Sequence, residues 1–164
     1  MLRYAAVAAV GLLLAYAAFQ AGTGSAAHAA ADAPLRGAAE SDSEPARLAK
    51  ASDGHFWADA VVDGRPMHLL VDTGASSVSL TPQDAERLGL YTGGLVFDRT
   101  VRTADGDSLA ARVKLRSVAI GGVNVADVDA LVVGRGLPAS LLGMSYLGRL
   151  SKFEATPSTL VLDP

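Results

Sequence analysis

Apolar and polar residues alternate along the chain from residue 54 onward, in a pattern typical of short β-strands. Residues 55–62 and 65–71 form two such stretches around Asp63-Gly64, a dipeptide that favours a tight hairpin turn. Many short strands at close spacing indicate a compact all-β barrel or sandwich. The same pattern predicts further strands at 77–80, 95–103, 108–120, 123–125, 128–133, 152–155 and 159–162.

Two short helices are predicted among these strands. Thr81 and Pro82 are typical of a helix N-cap and first helical position, and Gly89 is typical of a C-terminal cap. Residues 140–150 carry apolar side chains at helical spacing. Strands and helices do not alternate regularly, so a parallel α/β fold is not predicted.

The first 29 residues differ in composition from the rest of the chain. Arg3 precedes an uninterrupted apolar run at 4–19, and Ala27-His28-Ala29 fits an A-x-A cleavage motif. A cleaved signal peptide and an uncleaved membrane anchor both fit, because the run is shorter than the roughly 20 residues that comfortably span a bilayer. Either one exports the remainder, so we expect a periplasmic protein, free or tethered to the inner membrane.

The segment that follows, residues 30–52, mixes Ala, Pro, Ser and charged residues without apolar periodicity. This composition predicts a flexible tether, with room for a short helix at 46–51. Residues 53–164 are then expected to form one folded domain.

Composition and charge exclude several kinds of chemistry. The chain has no cysteine, which excludes disulfides, thiol catalysis and Cys-ligated metal sites. Its net charge of −3 offers no basic patch for nucleic acid. His55 and His68 lie in strand pattern without a third ligand at metal spacing. We therefore expect no metal, no cofactor and no nucleic-acid partner.

The candidate chemistry lies in the segment LLVDTGASSV, residues 69–78. Asp72 follows an apolar strand, Thr73 offers a hydroxyl that can bond to a neighbouring backbone, and Gly74 permits a turn that a Cβ would obstruct. Two carboxylates held close together share one proton. The ionised member takes a proton from water while the protonated member polarises the scissile carbonyl. Asp72 is therefore a candidate catalytic residue for peptide hydrolysis without a metal or a covalent intermediate.

Two segments, LLVDTGASSVSLTPQDAERLGL and SLLGMSYLGRLSKFE, begin about 70 residues apart. Together they resemble the retropepsin-like aspartic proteases, above all the bacterial, membrane-associated family with one lobe per chain. The resemblance spans residues 54–162. It implies an all-β fold: a closed, retropepsin-like (acid protease) barrel lobe with one or two short helices.

The same resemblance implies roles for residues around Asp72, which matches the catalytic aspartate. Residues that support the active-site loop or bind substrate are Thr73, Gly74, Ala75, Leu142 and Gly143. The resemblance also implies a hairpin flap over the cleft. The candidate flap is the turn within 103–108, and its tip residues are Ala104, Asp105 and Gly106.

The Asp-Thr-Gly triplet occurs once in the chain. Asp127 and Asp129 alternate along a strand and fit solvent-facing positions better than a catalytic pair. A working pair therefore needs Asp72 from a second copy, which a two-fold homodimer supplies. The C-terminal strand at 159–162 is a candidate for an intersubunit sheet.

We thus predict an exported aspartic endopeptidase that acts on an extended peptide or protein substrate. Two other functions fit the sequence. A peptide-binding module of the same fold would bind without cleaving, and a structural domain of the cell envelope would do neither.

Overall fold

The computed structural model describes residues 44–164 of the chain. This part of the chain contains ten strands, two short α-helices, α1 (Pro82–Arg87) and α2 (Met144–Leu147), and a 3₁₀ helix, Thr92–Gly94. The strands are β1 (Ala46–Ala49), β2 (Trp57–Val62), β3 (Arg65–Val71), β4 (Val78–Leu80), β5 (Phe97–Thr103), β6 (Gly106–Ile120), β7 (Val123–Val133), β8 (Leu141–Leu142), β9 (Lys152–Ala155) and β10 (Thr159–Asp163). The prediction of an all-β fold is confirmed.

Seven of the strands form one sheet, in which six close into a barrel and the seventh, β5, pairs with β6 outside the ring. Their order is β2-β3-β8-β4-β7-β6-β5, and an additional pairing between β2 and β6 closes the ring. Closure is made where Ala60, Val61 and Val62 pair with the far end of the long strand β6. The other end of β6 pairs with β5 and extends beyond the ring as a hairpin. Closing the sheet leaves few exposed strand edges.

Alternation along each strand fills the barrel interior. Ala58, Ala60 and Val62 of β2 are buried, whereas the residues between them point outward. The predicted hairpin turn is confirmed, because both Asp63 and Gly64 adopt positive φ, at 50° and 83°. Two left-handed residues in sequence are what a two-residue hairpin turn requires.

The predicted start and end of the first helix, α1, are also confirmed. The Thr81 side chain accepts a hydrogen bond from the Asp84 backbone N–H at 3.2 Å, and Pro82 begins α1. Gly89 follows the C-cap with a φ of 82°, a conformation that glycine adopts without strain.

The expected tether is ordered over part of its length. Residues 46–49 form β1, which pairs with β10, and Ala46 is buried against the core. Neither a flexible tether nor a helix describes this segment. The reason is tertiary, because backbone pairing with β10 and burial of Ala46 give an otherwise unpatterned stretch its structure.

Residues 159–162 offer no free strand edge for direct pairing with a second subunit, and their place in an intersubunit sheet stays a prediction. Strand β10 is the centre of a three-stranded sheet, with β1 on one edge and β9 on the other. Both of its hydrogen-bonding edges are therefore used within one chain. The edge strands of this small sheet are β1 and β9.

Two further elements differ from the sequence-based expectation. The predicted strands 123–125 and 128–133 are one strand, β7, whose register with β6 is the same on both sides of Asp127. Asp127 has a φ of 52°, and this local kink interrupts the alternation without ending the strand. The helix expected in 140–150 is only α2, because Leu141 and Leu142 pair with β3 as strand β8.

Neither α-helix within 44–164 has the length and apolar content needed to cross a bilayer. The expected signal or anchor lies outside the described residues, as does most of the expected tether.

Ser140 directly precedes β8, and its side chain connects this strand to the start of α1. Its hydroxyl accepts a hydrogen bond from the Thr81 backbone N–H at 3.0 Å and donates one to Asp84 Oδ2 at 2.6 Å, and the residue is 1% exposed.

Ser140→Ala is expected to lower the free energy of unfolding by about 1–3 kcal/mol, because it leaves two partly buried groups unpaired. Urea denaturation measures this loss. The exposed Ser151 provides a matched control, and an equal effect of Ser151→Ala would contradict the assignment.

Candidate active site

Asp72 lies directly after β3, at the point where the backbone leaves the barrel sheet. Its backbone N–H donates to the Leu142 carbonyl at 3.1 Å, which continues the β3–β8 pairing by one residue. Its side-chain Oδ1 accepts a hydrogen bond from the Gly74 backbone N–H at 2.8 Å. The carboxylate is therefore held by its own loop while its residue stays partly exposed.

The space around position 74 is tight for any side chain. A Cβ on Gly74 would lie 3.1 Å from Asp72 Oδ1, closer than ordinary van der Waals contact. A Cβ there would require the Asp72 carboxylate to shift by a few tenths of an ångström.

The loop from Asp72 to Ser77 is supported from behind by β8 and the residue after it. Strand β8 lies between β3 and β4, parallel to β3 and antiparallel to β4. Gly143 packs directly on the loop: a Cβ there would lie 2.6 Å from the Ser77 carbonyl carbon and 2.7 Å from the Ala75 oxygen. The next backbone N–H, of Met144, donates to the Ala75 carbonyl at 2.8 Å.

Ser145 secures the far end of the same loop. Its hydroxyl accepts from the Val78 backbone N–H at 2.9 Å and donates to the Asp129 carbonyl at 2.7 Å. The start of β4 is thereby joined to β7 through one side chain of α2. Sequence reasoning missed Ser145, because a serine on a short helix carries no pattern that reveals its partners.

Asp72 opens into a cleft of about 930 Å³. Its lining includes Gly74 and Ala75 of the loop, and residues Arg99 to Ala104 of β5 and the turn after it. Apolar side chains from several strands complete the lining: Leu70, Val101, Val113, Ala130, Leu131, Val133, Leu137 and Leu141. A cleft of this volume has room for a segment of peptide.

The candidate site residues occupy three different settings. Asp72, Gly74, Ala75 and the hairpin residue Ala104 line the cleft. Leu142 and Gly143 are buried behind the loop and support it without lining the cleft. Thr73 is exposed and lies outside the cleft lining.

The candidate flap is a hairpin whose tip approaches a second loop. Asp105 and Gly106 do not line the cleft, but a Cβ on Gly136 would lie 3.5 Å from the Asp105 Cβ and would collide with the Thr103 hydroxyl. Gly136 has a φ of 80°, so the absence of a side chain there serves both the turn and the approach of the hairpin.

Three arginines of the cleft were not identified from the sequence. Arg99 and Arg102 of β5 and Arg112 of β6 all line it. The segment FDRTVRT contains Arg99 and Arg102, but Arg112 lies on the next strand. Only the pairing of β5 with β6 shows that this hairpin forms the cleft wall.

The second acidic residue of the cleft, Asp129, is held by a cation. Its carboxylate lies 2.9 Å from Lys114 Nζ on the neighbouring strand. The hydrogen bond and the charge of Lys114 lower the pKa of the Asp129 carboxyl below its ordinary value. Asp127 and Asp129 are both exposed, in agreement with the sequence-based interpretation.

Trp57, His68 and Arg149 each have a partner within the fold. The Trp57 ring stacks on His68 with centroids 4.7 Å apart, and His68 Nδ1 lies 2.7 Å from Asp59 Oδ1. The Arg149 guanidinium donates to the carbonyls of Ala126 and Asp127 at the kink of β7. These contacts account for the residues within the fold.

Comparison with known proteins agrees with this geometry. A family model described as "gag-polyprotein putative aspartyl protease" matches residues 58–149. A crystal structure of a retropepsin-like aspartic protease from Rickettsia conorii is similar, with a TM-score of 0.67 and 37% identity over 73% of this chain and 98% of that chain.

Two relatives are known from sequence. An uncharacterized protein in the cobV 5′ region of Sinorhizobium sp. is 43% identical over 116 residues, and the uncharacterized protein RP867 of Rickettsia prowazekii is 39% identical over 116 residues. The matches cover 70% and 71% of this chain, and the chain spans about half the length of these two relatives (50% of each).

The family model matches more than half of the chain and includes the Asp72 loop, the β5–β6 hairpin and Gly143. The similar crystal structure is covered almost completely. The chain belongs to the retropepsin-like aspartic proteases.

Proposed function

We propose that this protein is an exported aspartic endopeptidase that hydrolyses internal peptide bonds with a water molecule activated by two Asp72 carboxylates, one from each subunit of a homodimer. The observation that carries the proposal is the Asp72 loop. Its carboxylate accepts a hydrogen bond from the Gly74 backbone N–H at 2.8 Å and lines a cleft of about 930 Å³, and β8 pairs with the strand that precedes it.

The chemistry follows from two carboxylates that share one proton. The ionised carboxylate takes a proton from the water, whose oxygen attacks the peptide carbonyl carbon. The protonated carboxylate donates a hydrogen bond to the carbonyl oxygen as negative charge develops there. Transfer of a proton to the leaving nitrogen then completes cleavage, so neither a metal nor a covalent intermediate is needed.

The second carboxylate comes from a second copy of the chain. The other acidic residue of the cleft, Asp129, is paired with Lys114 at 2.9 Å, and this cation favours its ionised form. Such a group is poorly suited to holding a shared proton. Thr73 is exposed beside Asp72 and outside the cleft, which leaves its hydroxyl available to a symmetry-related loop.

The apolar side chains that line the cleft favour substrates with apolar side chains. The β5–β6 hairpin is the flap that covers an extended peptide or protein segment.

The apolar N-terminal run supports a periplasmic location, with or without a tether to the inner membrane. A tether would raise the local concentration of subunits and favour dimers. A binding module of the same fold would hold a peptide in the same cleft without turnover.

Incubation of the purified chain with a mixed peptide library, with products identified by mass spectrometry, tests this function. We expect cleavage at internal bonds, and activity per molecule that rises with protein concentration as dimers form. Solution mass is measured in parallel by sedimentation. Full activity in a sample with the mass of a monomer would contradict the intersubunit site, and peptide binding without turnover at any pH would favour the binding module.

A further inference from the structure

The cleft of this protein has an excess of positive charge. Its lining includes three arginines, Arg99, Arg102 and Arg112, but only two acidic residues, Asp72 and Asp129. The chain as a whole carries a net charge of −3, so a general excess of basic residues does not explain this concentration. Three arginines and two aspartates give the lining a formal net charge of +1, which favours ligands of negative charge.

Two of these charges already have partners in the fold. Asp129 lies 2.9 Å from Lys114, and Arg102 Nε lies 3.4 Å from Asp107 Oδ1. None of the ion pairs found among residues 44–164 includes Arg99 or Arg112. Both residues are exposed, so their guanidinium groups remain available to a ligand.

The strand register places Arg99 and Arg112 close together on neighbouring strands, next to a β-bulge between Phe97 and Arg99. Arg99 is directly opposite Ala110 in the β5–β6 pair, and Arg112 follows Ala110 by two residues along β6. Both arginines line the same cleft, where long side chains from neighbouring strands can approach one group of a ligand. Arg112 is also directly opposite Leu131 of β7, which lines the cleft.

We propose that this cleft selects peptides with an acidic side chain close to the scissile bond, and that Arg99 and Arg112 bind its carboxylate. The proposal rests on the proposed function and names the substrate class of the same site. The planar guanidinium group presents paired N–H donors that match the two oxygens of a carboxylate. The apolar side chains of the lining contact the rest of the substrate, and one acidic side chain of the substrate faces Arg99 and Arg112.

The test uses pairs of fluorogenic peptides that differ only by Glu or Gln, at each position on both sides of the cleaved bond. We expect the wild-type protein to cleave the Glu peptide about five- to tenfold faster, in kcat/KM, at one or more positions. Added salt should reduce this ratio, because an exposed ion pair is screened. A ratio near one at every position would overturn the proposal.

Variants assign the preference to the two arginines. The double substitution Arg99→Gln with Arg112→Gln is expected to bring the Glu-to-Gln ratio close to one. Arg47→Gln, an equivalent change on exposed β1 outside the cleft lining, should leave the ratio as in wild type. Persistence of the full ratio in the double variant would overturn the assignment.

Binding of the same peptides, measured by fluorescence anisotropy, separates this inference from the proposed function. Glu-selective binding that depends on the two arginines supports the inference even if no cleavage depends on Asp72. Cleavage that depends on Asp72 without discrimination between Glu and Gln, in turnover or binding, overturns the inference and leaves the proposed function intact.

Discussion

Asp72→Asn is expected to reduce peptide cleavage by at least about a thousandfold. Asparagine has the shape of aspartate and retains an oxygen that can accept the 2.8 Å hydrogen bond from Gly74. It cannot take up a proton from water or hold a proton shared with a second carboxylate. The loss should therefore be confined to turnover, and the melting temperature should stay close to that of the wild type.

Steady-state cleavage of a fluorogenic peptide measures this effect. Asp98→Asn is the matched control, because Asp98 is exposed on β5 and does not line the cleft. The control should retain the wild-type rate. A rate for Asp72→Asn above about one tenth of wild type would be incompatible with Asp72 as the proton-transferring group.

Gly143→Ala is expected to lower both stability and activity. The added Cβ would lie 2.6 Å from the Ser77 carbonyl carbon and 2.7 Å from the Ala75 oxygen, and both of these are backbone atoms. The loop must move to make room, at a cost of about 1–3 kcal/mol in the free energy of unfolding. Because the same loop holds Asp72, a displacement of around 1 Å is expected to reduce cleavage by about a hundredfold.

Gly93→Ala makes the same chemical change away from the cleft. Its Cβ would approach only the ring of Tyr91, at 3.1 Å, and that residue is 80% exposed and able to move aside. Thermal unfolding and cleavage rates of the two variants should therefore differ clearly. Equal losses of stability and cleavage in Gly143→Ala and Gly93→Ala would show that Gly143 does not position the loop.

Features encoded by neighbouring residues could be predicted from the sequence. The turn at Asp63-Gly64 and the capping of α1 by Thr81 depend on residues close together in the chain, and each was predicted correctly. The Asp72 loop belongs to the same class, because one segment contains the strand, the carboxylate and the small residues that follow.

Features that depend on distant pairing could not be predicted. Residues 46–49 lack an apolar pattern, and they become a strand only because β10 lies beside them. Leu141 and Leu142 fit a helical pattern equally well, and their pairing with β3 decides in favour of a strand. The three arginines of the cleft were not identified for the same reason, because they come together only through the pairing of β5 with β6.

The central claim is that each active site needs Asp72 from two chains, and mixing of subunits tests it most directly. Wild type and Asp72→Asn are combined in equal amounts, allowed to exchange subunits, and assayed at constant total protein concentration. Random pairing leaves about one quarter of the dimers with two aspartates, so activity should fall to about one quarter of the all-wild-type value. A fall to only about one half would show that each chain works with its own residues, and would contradict the shared site.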